Sequence, residues 1–332
     1  MKSIIGLGNA ITDIFIYLPD NLVLERFNLS PGSVNHVDDA ALREILAAAE
    51  GVERVEVPGG SAANTVAVAS YLGMRGAFVG KVGSDSIGEN YIKDLDGNGV
   101  VPHILTGKRG SGVSLVFSVA GVDGKTIVTS PGAALELSED EICNELFKGY
   151  DYLHLEGYLF RCPGVVEKAM AIARKEGLMI SFDLGNSRIV ENNLQLVRSL
   201  VREHVDILFA NEDEARALTG LEGAEAALEL SGRGCGMTAV VKMGEKGSVV
   251  CRGGELFKVA AESVEVADTV GAGDAYAAGF LFAHSLGFPL YECGCAGAMT
   301  AAGAVGTVGP KVGKSGMEAI KTEICHFLEI KD

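Results

Sequence analysis

The residues Gly271-Ala272-Gly273-Asp274 run straight into Ala275-Tyr276-Ala277-Ala278-Gly279-Phe280-Leu281, so that small residues lead into an apolar run that predicts a helix. Gly271 and Gly273 let the backbone turn tightly and leave several N–H groups uncovered at the helix start. Unpaired amides and the helix dipole point the same way there, which makes a ready anion site. Asp274 is the odd residue. A carboxylate in a first helical turn complements the dipole by itself. Beside an anion-binding nest it is also placed to deprotonate a phosphoryl acceptor, and that is the chemistry expected of it.

Three further groups of residues have the types that such chemistry needs. In Pro58-Gly59-Gly60-Ser61-Ala62-Ala63-Asn64, Gly59 and Gly60 allow a ligand close to the backbone. Ser61 is placed to cap the helix that follows, and Asn64 offers a donor and an acceptor to a hydroxylated ligand. An ordinary glycine-led helix start accounts for the same residues. Asp13, in Gly8-Asn9-Ala10-Ile11-Thr12-Asp13, is expected near the carboxyl end of the first strand, where open α/β sheets bind ligands. It could accept from two vicinal hydroxyls, or be a plain turn residue. Gly6-Leu7-Gly8 lacks a third glycine, because position 11 is Ile, which removes a dinucleotide fingerprint.

Asn211-Glu212-Asp213-Glu214 follows a strand pattern. It reads as a capping box, and equally as a pair, Asn211 and Glu214, that orders water around Mg²⁺. Lys242-Met243-Gly244-Glu245-Lys246-Gly247 links two strands. Gly244 and Gly247 permit a nucleotide to lie against backbone, although a hairpin turn needs the same glycines. Neither a GxxxxGK[ST] loop nor the HRD and DFG motifs of protein kinases occur.

These residues must be positioned by elements that the patterning outlines. Strands are predicted at Lys2–Gly8, Ala77–Val82, Tyr152–Glu156, Met179–Leu184, Ile207–Ala210 and Ala239–Met243. Helices are predicted at Asp39–Ala49, Ala62–Leu72, Ser138–Phe147, Pro163–Glu176, Leu194–Glu203, Glu212–Leu218, Gly271–Leu286 and Tyr291–Gly306. Short buried strands alternating with helices indicate an α/β fold whose mostly parallel sheet is covered on both faces. Ile14–Val34 and Gly110–Thr129 break the alternation with short strand patterns. Val113–Val119 and Thr126–Thr129 read as a hairpin, and the two segments predict a small β-rich lid inserted into one α/β domain.

Bulk properties narrow the partners. Hydrophobic residues make up 48% of 332 residues, ample for a core, and the net charge of −16 argues against nucleic acid as partner. It does not argue against a nucleotide substrate held by local amides. Seven cysteines without CxxC spacing read as free thiols in a reducing compartment. The chain opens directly into a strand pattern, and no stretch reaches the roughly 18 unbroken apolar residues that span a bilayer. A soluble protein of the cytoplasm, away from membranes, is expected.

With these pieces in order, the chain resembles the PfkB (ribokinase-like) family of carbohydrate and nucleoside kinases over nearly its whole length. Gly59-Gly60-Ser61-Ala62-Ala63-Asn64 through Gly83 is similar to the family's N-terminal signature, and Asp268-Thr269-Val270-Gly271-Ala272-Gly273-Asp274 to its C-terminal one. Asn211-Glu212-Asp213-Glu214 matches its NxxE motif. Leu29-Ser30-Pro31-Gly32, in the long segment between Asp13 and Gly59, and Glu156-Gly157-Tyr158-Leu159 are similar to the adenosine kinase branch.

The resemblance implies a ribokinase-like three-layer α/β/α fold with a small β-rich lid. It also implies transfer of the ATP γ-phosphoryl group to a primary hydroxyl of a ribose-containing substrate such as adenosine. Asp274 would be the base, with Gly271, Ala272 and Gly273 supplying anion-hole amides. Asp13, Gly59, Gly60 and Asn64 would hold the sugar, and Gly244 and Gly247 would lie near ATP. Asn211 and Glu214 would position Mg²⁺ through water, and Asp268 and Thr269 match positions that bind a monovalent cation, such as K⁺, in some members. Asp183 and Asn186 sit where some members contact nucleotide or substrate, but Asp183-Leu184-Gly185-Asn186-Ser187-Arg188 departs from the usual patterns and leaves their roles open. A free-sugar kinase, or a non-catalytic sensor on the same fold, are the alternatives. A nucleoside would need an apolar slot, for which Phe15, Val34, Leu115 and Phe117 are candidates. The exposed lid edge suggests a homodimer.

Overall fold

The computed structural model describes residues 1–122, 124–233, 236–264, 270–305 and 314–330. In chain order its strands are β1 (Ser3–Leu7), β2 (Ile11–Leu18), β3 (Val34–His36), β4 (Arg54–Gly59), β5 (Arg75–Val82), β6 (Val100–Thr106) and β7 (Gly112–Val119). They continue with β8 (Lys125–Ser130), β9 (Tyr152–Glu156), β10 (Met179–Asp183), β11 (Ile207–Asn211), β12 (Thr238–Lys242), β13 (Ser248–Arg252) and β14 (Glu255–Val259).

Nine strands form one sheet in the order β14-β13-β12-β11-β10-β9-β1-β5-β6. From β12 to β6 every pairing is parallel, and β13 and β14 close one edge as an antiparallel pair. The strands β1 and β9 are buried at every position, as expected of strands covered on both faces. One face packs against the helices Ser61–Leu72, Ala272–Ser285 and Leu290–Val305, through residues such as Val66, Phe78, Phe209 and Phe280. The other carries Val165–Glu176, Leu194–His204, Glu212–Thr219 and Gly223–Arg233, around Leu155, Val166, Phe182 and Val201. The result is the three-layer α/β/α arrangement. Ala272–Ser285 and Leu290–Val305 approach closely because glycines face the contact. A Cβ at Gly297 would stand 2.9 Å from the carbonyl oxygen of Tyr276.

The remaining five strands form a second sheet in the order β3-β8-β7-β2-β4. One face, with Ile14, Ile16, Leu115, Phe117 and Val128, packs with Leu24 and Leu42 from the short helices Leu22–Arg26 and Asp39–Ala48. The period of two along β2 then sends Asp13 and Phe15 to the opposite face.

Three sequence expectations change. Asp13 lies inside β2, paired with Val57 and Ser114, rather than at the end of β1. Strand β4 lies where the patterning outlines no strand. Pro58 and the charges of Arg54 and Glu56 hide it, yet an edge strand tolerates both. The helix expected at Ser138–Phe147 is instead a 3₁₀ turn, Glu139–Glu141, and a separate turn of helix, Asn144–Phe147. The Glu141 carboxylate accepts from the backbone N–H of Ser138 at 3.0 Å and from Lys81 at 2.7 Å, and Cys143 is extended, which ends the first turn.

Candidate active site

Four neighbouring parallel strands end on polar residues at one edge of the large sheet: Glu156 on β9, Asp183 on β10, Asn211 on β11 and Lys242 on β12. Asp183 pairs with Glu156, and Asn211 with Lys242, so the register places them side by side. Carboxyl ends of strands are where open α/β sheets collect ligands. Two helix starts face this row.

The first is Ser61–Leu72. Its N-cap, Gly60, has φ +97°, and a Cβ there would overlap the carbonyl oxygen of Asn9. Only glycine accommodates both the angle and the approach. Ser61 does not cap this helix. The buried Glu156 caps it from another strand instead, accepting from Ala62 N–H at 2.8 Å and from Asn9 N–H at 2.9 Å. Burial lifts the Glu156 pKa to about 7 despite those two hydrogen bonds.

The second is Ala272–Ser285, entered through Gly271 in the left-handed region at φ +79°. Its first intrahelical bond runs from Ala275 N–H to Gly271 C=O, at 2.9 Å, so the amides of Ala272, Gly273 and Asp274 precede the helical ladder. Asp274 is gripped from the other helix. Ser61 Oγ donates to its Oδ1 at 2.7 Å, and Asn64 Nδ2 donates to its Oδ2 at 3.0 Å. Burial raises its pKa to about 6 against these hydrogen bonds, with the charge of Asp183 adding to the rise. The group is therefore an anion at neutral pH that accepts a proton more readily than an ordinary Asp.

Lys242 Nζ pairs with Asp183 Oδ2 at 2.7 Å, and both are largely shielded. Burial alone would lower the Lys242 pKa, but Asp183, Glu214 and Asp274 together raise it, so it is a cation. Asn211 and Glu214 form the capping box. Glu214 accepts from Asn211 N–H at 2.9 Å and from Asn211 Nδ2 at 2.8 Å, and Asn211 Oδ1 accepts from Glu214 N–H at 2.9 Å. Burial, and then the charge of Asp183, raise the Glu214 pKa. Asn186, for its part, caps the helix at Ser187 by accepting from Arg188 N–H at 3.0 Å.

A cleft opens between the large sheet's helices and the second sheet. Asp13, Gly59, Asn64, Gly271 and Asp274 line its polar part, and Phe15, Val57, Val68, Ala275 and Met317 its apolar wall. Of the slot residues expected from sequence, Phe15 reaches this cleft. Leu115 and Phe117 are fully buried in the second sheet's own core, and Val34 is 62% exposed on β3. Gly244 and Gly247 have positive φ in the turn between β12 and β13, and a Cβ at Gly247 would overlap the carbonyl oxygen of Val259, so the turn itself requires glycine there. Asp268 and Thr269 lie outside the described residues.

Among the described residues no group of three or more His, Cys, Asp or Glu side chains is arranged to hold a metal ion. The Glu214 oxygens already accept from Asn211. A divalent ion suits this edge only as one carried in on phosphate oxygens and reached through water.

Residues 28–315 match the pfkB family carbohydrate kinase profile. This chain belongs to the PfkB family. The adenosine kinase of Sinorhizobium meliloti is 34% identical, with a TM-score of 0.85 over 97% of this chain and 99% of that one. A probable sugar kinase of Rhizobium etli CFN 42 is 30% identical, with a TM-score of 0.85 over 97% of this chain and 98% of that one. An uncharacterized sugar kinase of Archaeoglobus fulgidus is 30% identical over 247 residues, 74% of this chain and 96% of the relative. The protein is therefore a carbohydrate or nucleoside kinase of ribokinase-like fold, a phosphotransferase of a family whose kinases use ATP. Among the described residues no helix is long and apolar enough to cross a membrane.

In this PfkB kinase the structure brings Asp274, Gly271, Asn64, Gly59 and Asp13 to one cleft, with Ala272 and Gly273 in the helix start between Gly271 and Asp274. It also adds residues that sequence reading missed. Ser61, whose position suggests a cap, is a hydrogen-bond donor to Asp274. Lys242 and Glu156 were passed over, although a charged residue closing a buried strand such as Thr-Ala-Val-Val-Lys was a signal that could have found them.

Proposed function

We propose that the protein transfers the γ-phosphoryl group of Mg·ATP to the primary hydroxyl of a nucleoside such as adenosine. The observation that carries this reading is the two-sided cleft next to Asp274. Its polar part, Asp13 and Asn64, suits ribose hydroxyls, and its apolar wall of Phe15, Val57, Val68 and Met317 suits a flat base. The likeness to an adenosine kinase at 34% identity supports it.

In this mechanism the acceptor hydroxyl attacks the γ-phosphorus in line, and Asp274 takes the proton as the new bond forms. A pKa of about 6 keeps Asp274 ionised at neutral pH yet able to accept late in the transfer. The amides of Ala272 and Gly273 neutralise charge on the transferring group. Mg²⁺ would supply further charge neutralisation, reached from Glu214 and Asn211 through water. The second sheet would close over the sugar as a lid and exclude water, and its edge strands β3 and β4 could pair with a second copy.

The test is ADP release from Mg·ATP with adenosine, inosine, guanosine, cytidine, ribose, fructose and 2-keto-3-deoxygluconate. Turnover with a nucleoside and little with free sugars is expected. Turnover with a free sugar alone would remove the nucleoside assignment and keep the role of Asp274.

A further inference from the structure

Lys242 is a buried charge that the reaction so far does not use. Its side chain is 16% exposed and that of its partner Asp183 is 7% exposed. The ammonium lies 2.7 Å from Asp183 Oδ2 and 6.0 Å from the centroid of the Phe209 ring. It also stands 3.1 Å from where a Cβ at Gly273 would be, so it lies beside the second residue of the Ala272–Ser285 helix. Asp183 Oδ1 accepts from Gly185 N–H at 3.0 Å, which holds the carboxylate in place at the end of β10.

As a staple between β10 and β12 the pair would achieve little, because removing two ions from water offsets their attraction. As a way of keeping a cation at an anion site it makes sense. Glu214, Asp183 and Asp274 all act on Lys242, and an incoming triphosphate would meet those carboxylates unless a cation stood among them. Gly273 leaves room for the ammonium beside the helix amides.

We propose that Lys242 is a catalytic residue that holds the γ-phosphoryl oxygens during transfer, and that Asp183 positions it. The proposal rests on the ATP-dependent reading above. In the step, the bond from the γ-phosphorus to the β–γ bridging oxygen breaks and a bond from the acceptor oxygen to that phosphorus forms. The hydroxyl proton passes to Asp274, and ADP leaves with the electron pair of the broken bond. Negative charge moves across the γ-phosphoryl group as this happens, and a lysine on a flexible stem can follow it.

The experiment compares wild type, K242M, K242R and D183N in the full chain. Each is titrated with Mg·ADP and with Mg·AMP-PNP, and assayed for ADP release with the acceptor that wild type uses. A direct γ-phosphate contact predicts that K242M loses about tenfold or more in AMP-PNP affinity while ADP affinity stays within about twofold. Its turnover should fall about 10²-fold, with K242R recovering much of the loss. D183N should keep AMP-PNP affinity and lose turnover, because the cation is present but less well placed.

Equal losses for ADP and AMP-PNP in both K242M and D183N would mark the pair as a structural staple and overturn the proposal. So would K242M that binds AMP-PNP as wild type does. If K242M does not fold by circular dichroism, K242Q in the same two titrations decides. If wild type binds both nucleotides but phosphorylates no acceptor, the kinase reading of the acceptor fails, while the AMP-PNP comparison still decides the role of Lys242.

Discussion

Ser61 and Asp274 are 213 positions apart in the chain, and a 2.7 Å hydrogen bond joins them. Each sits in the first turn of its own helix. The bond therefore couples the two helix starts that face the sheet edge, and it orients the carboxylate that the mechanism uses as base. A base held from both oxygens, by Ser61 and Asn64, has little rotational freedom to lose on binding an acceptor.

Replacing Asp274 by Asn should lower turnover by about 10²-fold or more, the usual range for a positioned acid–base group. Affinity for Mg·AMP-PNP should change little. Steady-state kinetics and a nucleotide titration check both halves, and near-wild-type turnover would remove Asp274 as the base.

The rate should depend on pH through the same residue. Asp274 must be ionised to accept a proton, and burial raises its pKa to about 6, so kcat/KM should fall as pH drops through that value. Ser61→Ala removes a hydrogen bond that favours the ionised form. The acidic limb should then move to higher pH by roughly half a unit to one unit. A pH–rate profile of both proteins measures the shift, and an unmoved limb would assign it to another group.

Stability should run against the common acid-denaturation trend near neutrality. Burial raises the pKa of Glu156 to about 7, and that of Asp274 to about 6, in the folded state. Between the ordinary carboxylate range and those values the folded chain binds more protons than the unfolded chain. Stability from these groups is therefore complete only below the ordinary values, 3.8 for Asp and 4.5 for Glu, and is lost as pH rises from there through about 6 and 7. Their share of the unfolding free energy, read by urea denaturation of wild type against Glu156→Gln and Asp274→Asn, should fall on the order of 2–3 kcal/mol between about pH 5.5 and pH 8. His154, whose pKa burial lowers to about 4, acts in the opposite direction up to its ordinary value, which is why the variants are needed. A difference between wild type and these variants that stays flat over this range would show that the two carboxyls are ionised without cost.

Gly60→Ala should destabilise the fold by about 2 kcal/mol or more, because it combines a positive φ with overlap on the Asn9 carbonyl oxygen. Urea denaturation reads this directly. A loss under about 0.5 kcal/mol would mean that the β1–β2 connection relaxes freely.

Phe15→Ala should weaken the apolar wall of the cleft. A nucleoside acceptor should then show KM raised by about tenfold with kcat largely kept, since the lost contact is with the base and not with the reacting group. An unchanged KM would place the base elsewhere.

The sequence alone determined the alternation of buried strands and helices, because parallel strands covered on both faces must be continuous apolar runs, as β1 and β9 are. It also determined the glycine-led helix start before Asp274 and the Asn211–Glu214 capping box, since both depend on residues a few positions apart. Tertiary structure decided what each side chain meets. Ser61 turns from a cap into a partner of Asp274, and Glu156 caps a helix 94 residues away from it in sequence. Lys242 acquires Asp183 across an intervening strand, and Phe15 faces the cleft while Leu115 and Phe117 face the second sheet's core. Local patterns carry backbone geometry and burial, which neighbours in the chain impose. The pairing of charges at a sheet edge depends on strand order and register, and those are settled only when segments distant in sequence pack together.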